Sequence, residues 1–226
     1  MSIYRRALGA DFDRLHPEIR RRFDLDSTID VAHLGSGVMH RITRGPKLIS
    51  PFLWLGTTRN LLFPESGTDV PFTVANYAYR DAFGRETITW HRRFDLGHRS
   101  RTFDATMIYS AERGTIVDYL GSHQHLATDL VCHVDSEGGI NFTSGEQRFY
   151  ERGLRFRFPR ALTGHARVRE WFDDIAGCFR IEVDVTNPIV GHVFGYQGSF
   201  TIEQVPLDHP GEVPAHIRPR RETHRE

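Results

Sequence analysis

The sequence predicts a mostly β protein, an antiparallel β-barrel of about ten strands, lipocalin-like, with short N-terminal helices and one plugging helix. Two observations carry this. From residue 64 onward the chain is a train of short β-like runs, at 70–80, 85–95, 100–111, 115–120, 125–135, 139–150, 154–158, 165–173, 178–186 and 191–204. Turn signals divide them, among them Phe83-Gly84, Arg113-Gly114, Gly138-Gly139, Ala176-Gly177 and Asn187-Pro188. Short strands at regular spacing mark a sandwich or barrel, whereas alternating βα units would interleave helical patterns. Some ten strands are many for an open sheet, and closure removes the exposed edges.

Before the strands, Tyr4, Leu8, Phe12, Leu15 and Ile19 recur at spacings of three or four, one apolar stripe of helical period. Pro17 inside the stretch divides it into two short helices, with Asp11 as a candidate cap for the second and Arg20, Arg21 and Arg22 at its C-terminal end. Ile29 and Val31, then Val38 and Ile42, read as a hairpin that turns at Gly35-Ser36-Gly37. Over 48–63, Leu48, Phe52, Leu55 and Leu62 fit a helix with Ser50 as cap and Pro51 as first residue, amphipathic enough to plug a barrel end. Residues 1–205 thus form one barrel domain. The Pro-, His- and Arg-rich stretch 206–226 reads as a disordered tail.

Composition narrows the function classes. Lys plus Arg equals Asp plus Glu at 29 each, a balance that speaks against a nucleic-acid or membrane partner. Lys47 is the single lysine and follows Gly45-Pro46 in a turn, which makes imine chemistry a poor fit. Cys132 and Cys178 lack CxxC spacing, so neither a disulfide framework nor a zinc ribbon is expected. No apolar stretch reaches membrane-spanning length and no signal-peptide pattern opens the chain, so a cytoplasmic location is expected. There is no P-loop, dinucleotide fingerprint, nucleophile elbow or HExxH, and no cofactor is expected. His123 and His125, with His133 on the same parity, would be the candidate metal ligands. Their face also carries Ala127, Asp129 and Val131, an exterior pattern, so no metal site is assigned.

Several stretches resemble an uncharacterised bacterial domain family: Tyr4 to Gly9, Phe12 to Pro17, Asp69 to Phe72, Trp90 to Phe94, Gly138-Gly139, and Gly191 to Gly198 with Tyr196. In that family the domain occurs alone or C-terminal in larger chains that include saccharopine-dehydrogenase-like oxidoreductases. The resemblance implies a domain over roughly residues 4 to 200 and implies no activity.

Successive strand side chains point to opposite faces, which identifies polar residues aimed inward. The apolar face of 86–94 reads Glu86, Ile88, Trp90, Arg92, Phe94, and that of 166–172 reads Ala166, Val168, Glu170, Phe172. A buried charge without a partner costs several kcal/mol, so Arg92 and Glu170 are expected to pair with each other or to hold the same ligand. In 192–202 the inward set is His192, Phe194, Tyr196, Gly198, Phe200 and Ile202, and Gly198 leaves room for a ligand or a backbone. Asn76 shares a face with Phe72, Val74 and Ala78 and offers a carbonyl contact.

The expectation is a barrel that binds a small hydrophobic, polyketide- or lipid-like molecule and performs cofactor-independent acid–base chemistry of the isomerase or cyclase kind. Glu170, Tyr196 and Arg92 are its candidate catalytic groups. Trp90, Phe94, Asn76, Phe194 and Gly198 are the candidate ligand contacts. A non-catalytic carrier, or an accessory domain whose barrel is filled by its own side chains, are the alternatives, and a homodimer is compatible with each.

Overall fold

Among the described residues twelve strands form one sheet, and ten of them run up and down in chain order and close on themselves. The computed structural model describes residues 1–151, 153–159, 161 and 163–224. The strands are β1 (Val31–Arg44), β2 (Gly67–Asn76), β3 (Ala78–Arg80), β4 (Glu86–Asp95), β5 (Ser100–Ser110), β6 (Thr115–Leu120), β7 (Leu126–Val134), β8 (Ile140–Glu151), β9 (Leu154–Arg157), β10 (His165–Asp173), β11 (Cys178–Asn187) and β12 (Gly191–Pro206). Every pairing is antiparallel, and β12 returns to β1 from Val31↔Pro206 to Arg44↔Phe194. Strand β3 attaches to β4 outside the ring.

The ring has one weak seam. Strand β10 pairs with β8 only from Arg167↔Thr143 to Glu170↔Ile140, while the other half of the same β8 edge is taken by β9. Above the four-residue ladder the seam is fastened through side chains. Ala166 N donates to Ser144 Oγ (2.8 Å), and Gln147 Nε2 donates to the Gly164 carbonyl (2.5 Å).

The strand directions give the barrel two unlike ends. The base carries the N-terminal segment: α1 (Ile3–Leu8), a 3-10 turn over Gly9–Arg14, and α2 (Pro17–Phe23). Pro17 divides the helices as predicted, but the cap of α2 is His16, whose Nδ1 accepts from Glu18 N at 3.2 Å. Asp11 instead pairs with Arg14 at 3.0 Å. Ile3, Tyr4, Phe12, Leu15, Ile19 and Phe23 all lie buried in the main core, so this segment is the stopper of the base. Its edge is pinned by His16, whose N–H donates to Gly138 O (3.0 Å) and whose ring stacks on Phe172 at 5.2 Å.

The mouth carries the β1–β2, β4–β5, β6–β7, β8–β9 and β11–β12 connections. Beneath it Phe63, Phe94 and Phe194 meet, with centroids 5.1 and 4.8 Å from Phe63, and all three are buried. Burying each such ring stabilises the fold by about 1.5–3 kcal/mol. The predicted mouth helix is present as α3 (Ser50–Thr57) after a 3-10 turn over Lys47–Ile49. Its faces are the reverse of the expected ones: Ile49 and Leu53 point in, while Leu48, Phe52 and Leu55 are 78, 75 and 69 % exposed. Ser50 accepts from Arg44 at 3.0 Å and makes no cap bond. Among the described residues no helix is long and apolar enough to cross a membrane.

Two further expectations are corrected. The hairpin turn at Gly35-Ser36-Gly37 does not exist, because β1 runs unbroken through it. Glycine is needed there for closeness: a Cβ at Gly37 would stand 2.1 Å from Ser199 O on β12. The stretch read as a disordered tail packs on the outer wall over its described residues. Val213 is buried against Ala32, Tyr77 and Tyr79, with Leu207 and Ile217 beside them. Glu222 accepts from Tyr79 Oη (3.0 Å) and Ala82 N (2.7 Å), and Thr223 N donates to Gln124 Oε1 (2.9 Å). Three apolar anchors spaced among polar residues suffice to hold a strap that composition alone marks as unstructured. Glu222→Ala, which leaves two donors unmet, is expected to lower stability by about 1–2 kcal/mol in urea unfolding. An unchanged unfolding midpoint would show that the strap contributes nothing.

Candidate functional site

Charged groups enter the barrel from three directions. From the base, Arg22 of α2 reaches inward, its side chain 3 % exposed. Its Nε and NH2 donate to the two oxygens of Glu170, the latter at 3.4 Å, and its NH1 donates to Asn76 Oδ1 at 2.9 Å. Asn76 in turn donates to Thr89 O at 3.0 Å, which fixes its amide orientation. The guanidinium lies against the Trp90 and Phe200 rings, 5.0 and 5.2 Å from their centroids. Burial raises the Glu170 carboxyl, and Arg22 draws it back. His33, beside them on β1, is pushed down to about 4 by burial and then by the Arg22 charge, so it is neutral at pH 7.

From the wall, Arg92 of β4 spans the interior toward the mouth. Its Nε donates to Phe103 O (3.2 Å), its NH1 donates to the Tyr196 hydroxyl (3.2 Å), and its plane covers the Phe103 ring at 3.8 Å. Tyr196 is held by Phe94 at 5.2 Å and Phe72 at 6.4 Å.

The third group is Asp118 of β6. It is 5 % exposed, and its Oδ1 has no hydrogen-bond partner among the described residues. Burial pushes its carboxyl up to about 7, and the one charge acting against that is Arg92. Tyr4 stands near it, accepting from Trp90 Nε1 at 2.7 Å and directed at Met107 Sδ at 3.5 Å. A buried carboxyl raised toward neutrality within the field of a guanidinium can hold or release a proton near pH 7.

The structure brings together most of the residues that alternation selected. Arg92, Glu170, Tyr196, Asn76, Trp90, Phe94 and Phe194 are all inward and buried. The expected partnership of Arg92 with Glu170 is replaced. The hydrogen bonds of Glu170 go to Arg22, and Arg92 reaches it only through its field. Gly198 does not make room for a ligand: a Cβ there would lie 2.2 Å from Val38 O and 2.6 Å from Met39 Cα, so it serves the approach of β1. The histidine trio is split by the register shift between Thr128 and Leu130, and His125 packs on Phe149 at 5.6 Å.

Sequence reasoning missed Arg22 and Asp118. Arg22 had a signal, since it follows Ile19 by three and lies on the Leu15-Ile19-Phe23 stripe, whereas Arg21 is exposed. Asp118 had one as well, because β6 is apolar on both faces and a charge within it is buried whichever way it points. Val117 and Tyr119 fill a separate outer cluster with Ile108, Ala127 and Tyr150, while Ile116 faces the main core.

A second polar constellation lies outside the wall, under the C-terminal strap. His91 Nδ1 meets Asp104 Oδ1 at 2.8 Å, Asn60 holds the other Asp104 oxygen at 2.7 Å, and His216 of the strap stands 6.1 Å from the His91 ring. These groups line a cavity of about 190 Å³, together with Arg218 and Arg220.

Two comparisons place the chain among known proteins. It is 35 % identical over 203 residues to the uncharacterised protein YndH of Bacillus subtilis (strain 168), covering 90 % of this chain and 98 % of that one. A 133-residue stretch is 28 % identical to the DNA mismatch repair protein MutS of Lactococcus lactis subsp. cremoris (strain SK11), covering 56 % of this chain and 15 % of that one. Residues 15–200 match the family model described as a domain of unknown function, DUF4166, and it is to this family that the chain belongs.

Proposed function

We propose that the barrel takes up a small, largely apolar molecule bearing a carbonyl or carboxylate oxygen, and moves a proton on it without a cofactor. Arg92 and Tyr196 hold the oxygen, Trp90, Phe94, Phe103 and Phe194 form the apolar wall, and Asp118 is the proton carrier. The observation that supports this reading most is the buried Asp118 carboxyl, whose Oδ1 has no hydrogen-bond partner among the described residues and which burial pushes up to about 7. Leaving a buried polar group unsatisfied costs about 1–3 kcal/mol, a burden that a purely structural position has no reason to keep.

The chemistry that fits is isomerisation through an enolate. Asp118 removes a proton beside the carbonyl, the negative oxygen is stabilised by Arg92 and Tyr196, and the proton is returned at a second carbon. Atoms and electrons balance with no other reactant. Glu170 is a positioning residue in this scheme: it locks Arg22 and through it Asn76.

The carrier reading differs only in giving Asp118 no proton to move. The filled-barrel reading draws on the Phe63, Phe94 and Phe194 contacts beneath the mouth. Native against denaturing mass spectrometry on freshly purified protein separates them. The expected result is a small molecule retained in the native state, lost on denaturation, and absent from Arg92→Met. Asp118→Asn is expected to retain the molecule in unconverted form. Identical molecules on wild type and Asp118→Asn would favour the carrier. A clean protein mass, with no thermal shift from apolar carboxylic acids, would sink both binding readings.

A further inference from the structure

The two ends of the barrel differ in more than their stoppers. Six exposed apolar side chains lie at the mouth, from three separate segments, against Met1, Ile29, Phe83 and Ile175 scattered over the base. Leu48, Phe52 and Leu55 come from the α3 region at 69–78 % exposure, Leu154 and Phe156 from β9 at 57 and 40 %, and Ile189 from the β11–β12 turn at 70 %. None of these joins the described core clusters. Monomeric proteins seldom present several large apolar tips from independent loops at one end without a partner for them.

Charge identifies that partner. The chain as a whole is neutral, which speaks against a membrane, but its ends are not alike. Over their described residues the mouth segments 45–66, 96–99, 121–125, 153–159 and 188–190 contain five Lys or Arg and a single acidic residue, Glu65. Glu65 is already matched by Arg99 and Arg101, at 3.5 and 2.5 Å. The base turns 81–85, 111–114, 135–139 and 174–177 carry five acidic residues, Asp81, Glu112, Asp135, Glu137 and Asp174, against two basic ones, Arg85 and Arg113. In β9 the two properties alternate, Leu154 and Phe156 with Arg155 and Arg157, and all four are exposed. Apolar tips set among arginines match the interface of an anionic bilayer, where side chains such as Phe and Leu enter the acyl boundary and cations meet the headgroups. A nucleic acid would match the arginines and leave six aliphatic and aromatic tips in water.

We propose that the mouth of the barrel docks on the surface of an anionic lipid bilayer, with α3, β9 and the β11–β12 turn as its contacts. The inference rests on surface groups alone, so it stands or falls separately from the interior chemistry. Docked this way, the seam and the aromatic stopper at Phe63 face the lipid, and an apolar ligand passes between membrane and barrel without crossing water.

The test is flotation of the full chain with phosphatidylcholine vesicles, with and without phosphatidylglycerol, at low and high salt. Binding is expected on the phosphatidylglycerol vesicles, weakened by salt, with the emission of Trp54 on α3 shifting to the blue. Phe52→Ser with Leu55→Ser should weaken binding at least about tenfold while leaving the melting temperature in place, since both side chains are exposed. Arg155→Ser with Arg157→Ser should remove the preference for the anionic lipid. Absence of binding to the phosphatidylglycerol vesicles would overturn the proposal. So would binding that ignores both variants, or a stable dimer whose dissociation follows Phe52→Ser with Leu55→Ser.

Discussion

Arg22→Met is expected to destabilise the fold by about 3–5 kcal/mol at neutral pH in denaturant unfolding, more than any surface change of the same chemistry. Arg22 hydrogen-bonds both oxygens of Glu170, and both residues are buried. Removing the guanidinium leaves a fully buried carboxylate with only the distant field of Arg92, together with an Asn76 oxygen that has lost its donor. The cost arises from the group left behind, not from the attraction lost. Glu170→Met in the same chain should therefore restore most of the stability, since replacing a buried ion pair by apolar groups of similar size is close to neutral. The neighbouring Arg21→Met, at an exposed position, should stay within about 0.5 kcal/mol. A loss at Arg22→Met no larger than that of Arg21→Met would mean that Glu170 finds another partner and that the base is not organised by this pair. Should the single variant fail to fold, recovery in the double variant carries the same information.

The same pair marks the limit of what alternation reveals. Strand parity places Arg92, Glu170 and Tyr196 inside, because a one-residue slip would expose a whole apolar face. Parity says nothing about which strands face each other across the lumen, so joining Arg92 to Glu170 rests on their faces alone. The actual partner comes from the N-terminal helix, where Arg22 looks like an ordinary C-terminal cation beside Arg20 and Arg21. Only its place on the Ile19-Phe23 stripe separates it from them. For α3 the error has the same physical origin reversed. Leu48, Phe52 and Leu55 have helical spacing, and spacing locates an apolar stripe without stating what covers it. The glycines at 35 and 37 mislead for a third reason. Close approach of neighbouring strands demands glycine as firmly as a turn does, and a single sequence does not distinguish the two. The meander is legible because each of its turns is local; the strap at 207–224 is not, because its anchors act on distant strands.

Asp118→Asn is expected to reshape the pH dependence of stability. The carboxyl stands near 7 in the folded chain against an ordinary value of 3.8. Between those values the folded state holds a proton that the unfolded state has released, so stability falls as pH rises through this window. The full loss, about 4 kcal/mol, is reached by pH 8. His33 acts in the opposite sense. Its folded value near 4 lies below the ordinary 6.5, so the unfolded chain binds the extra proton and stability rises with pH across that interval. The two slopes oppose each other from pH 4 to 6.5, and the wild-type curve alone conceals both. The difference between wild type and Asp118→Asn isolates one of them, because His33 and Glu170 contribute to both proteins. At pH 4 the variant should have no advantage, and by pH 8 it should be the more stable by about 4 kcal/mol. A pH-independent difference would mean that Asp118 is paired or solvated in solution and is not poised to move a proton. Arg92→Met supplies the second coordinate. Arg92 is the charge that draws the Asp118 carboxyl down, so its removal should carry the midpoint of the transition to higher pH. If ligand conversion follows the same midpoint and moves with it in Arg92→Met, the group that titrates is the group that transfers the proton. A conversion profile that stays in place while the stability transition moves would assign the chemistry to a different residue.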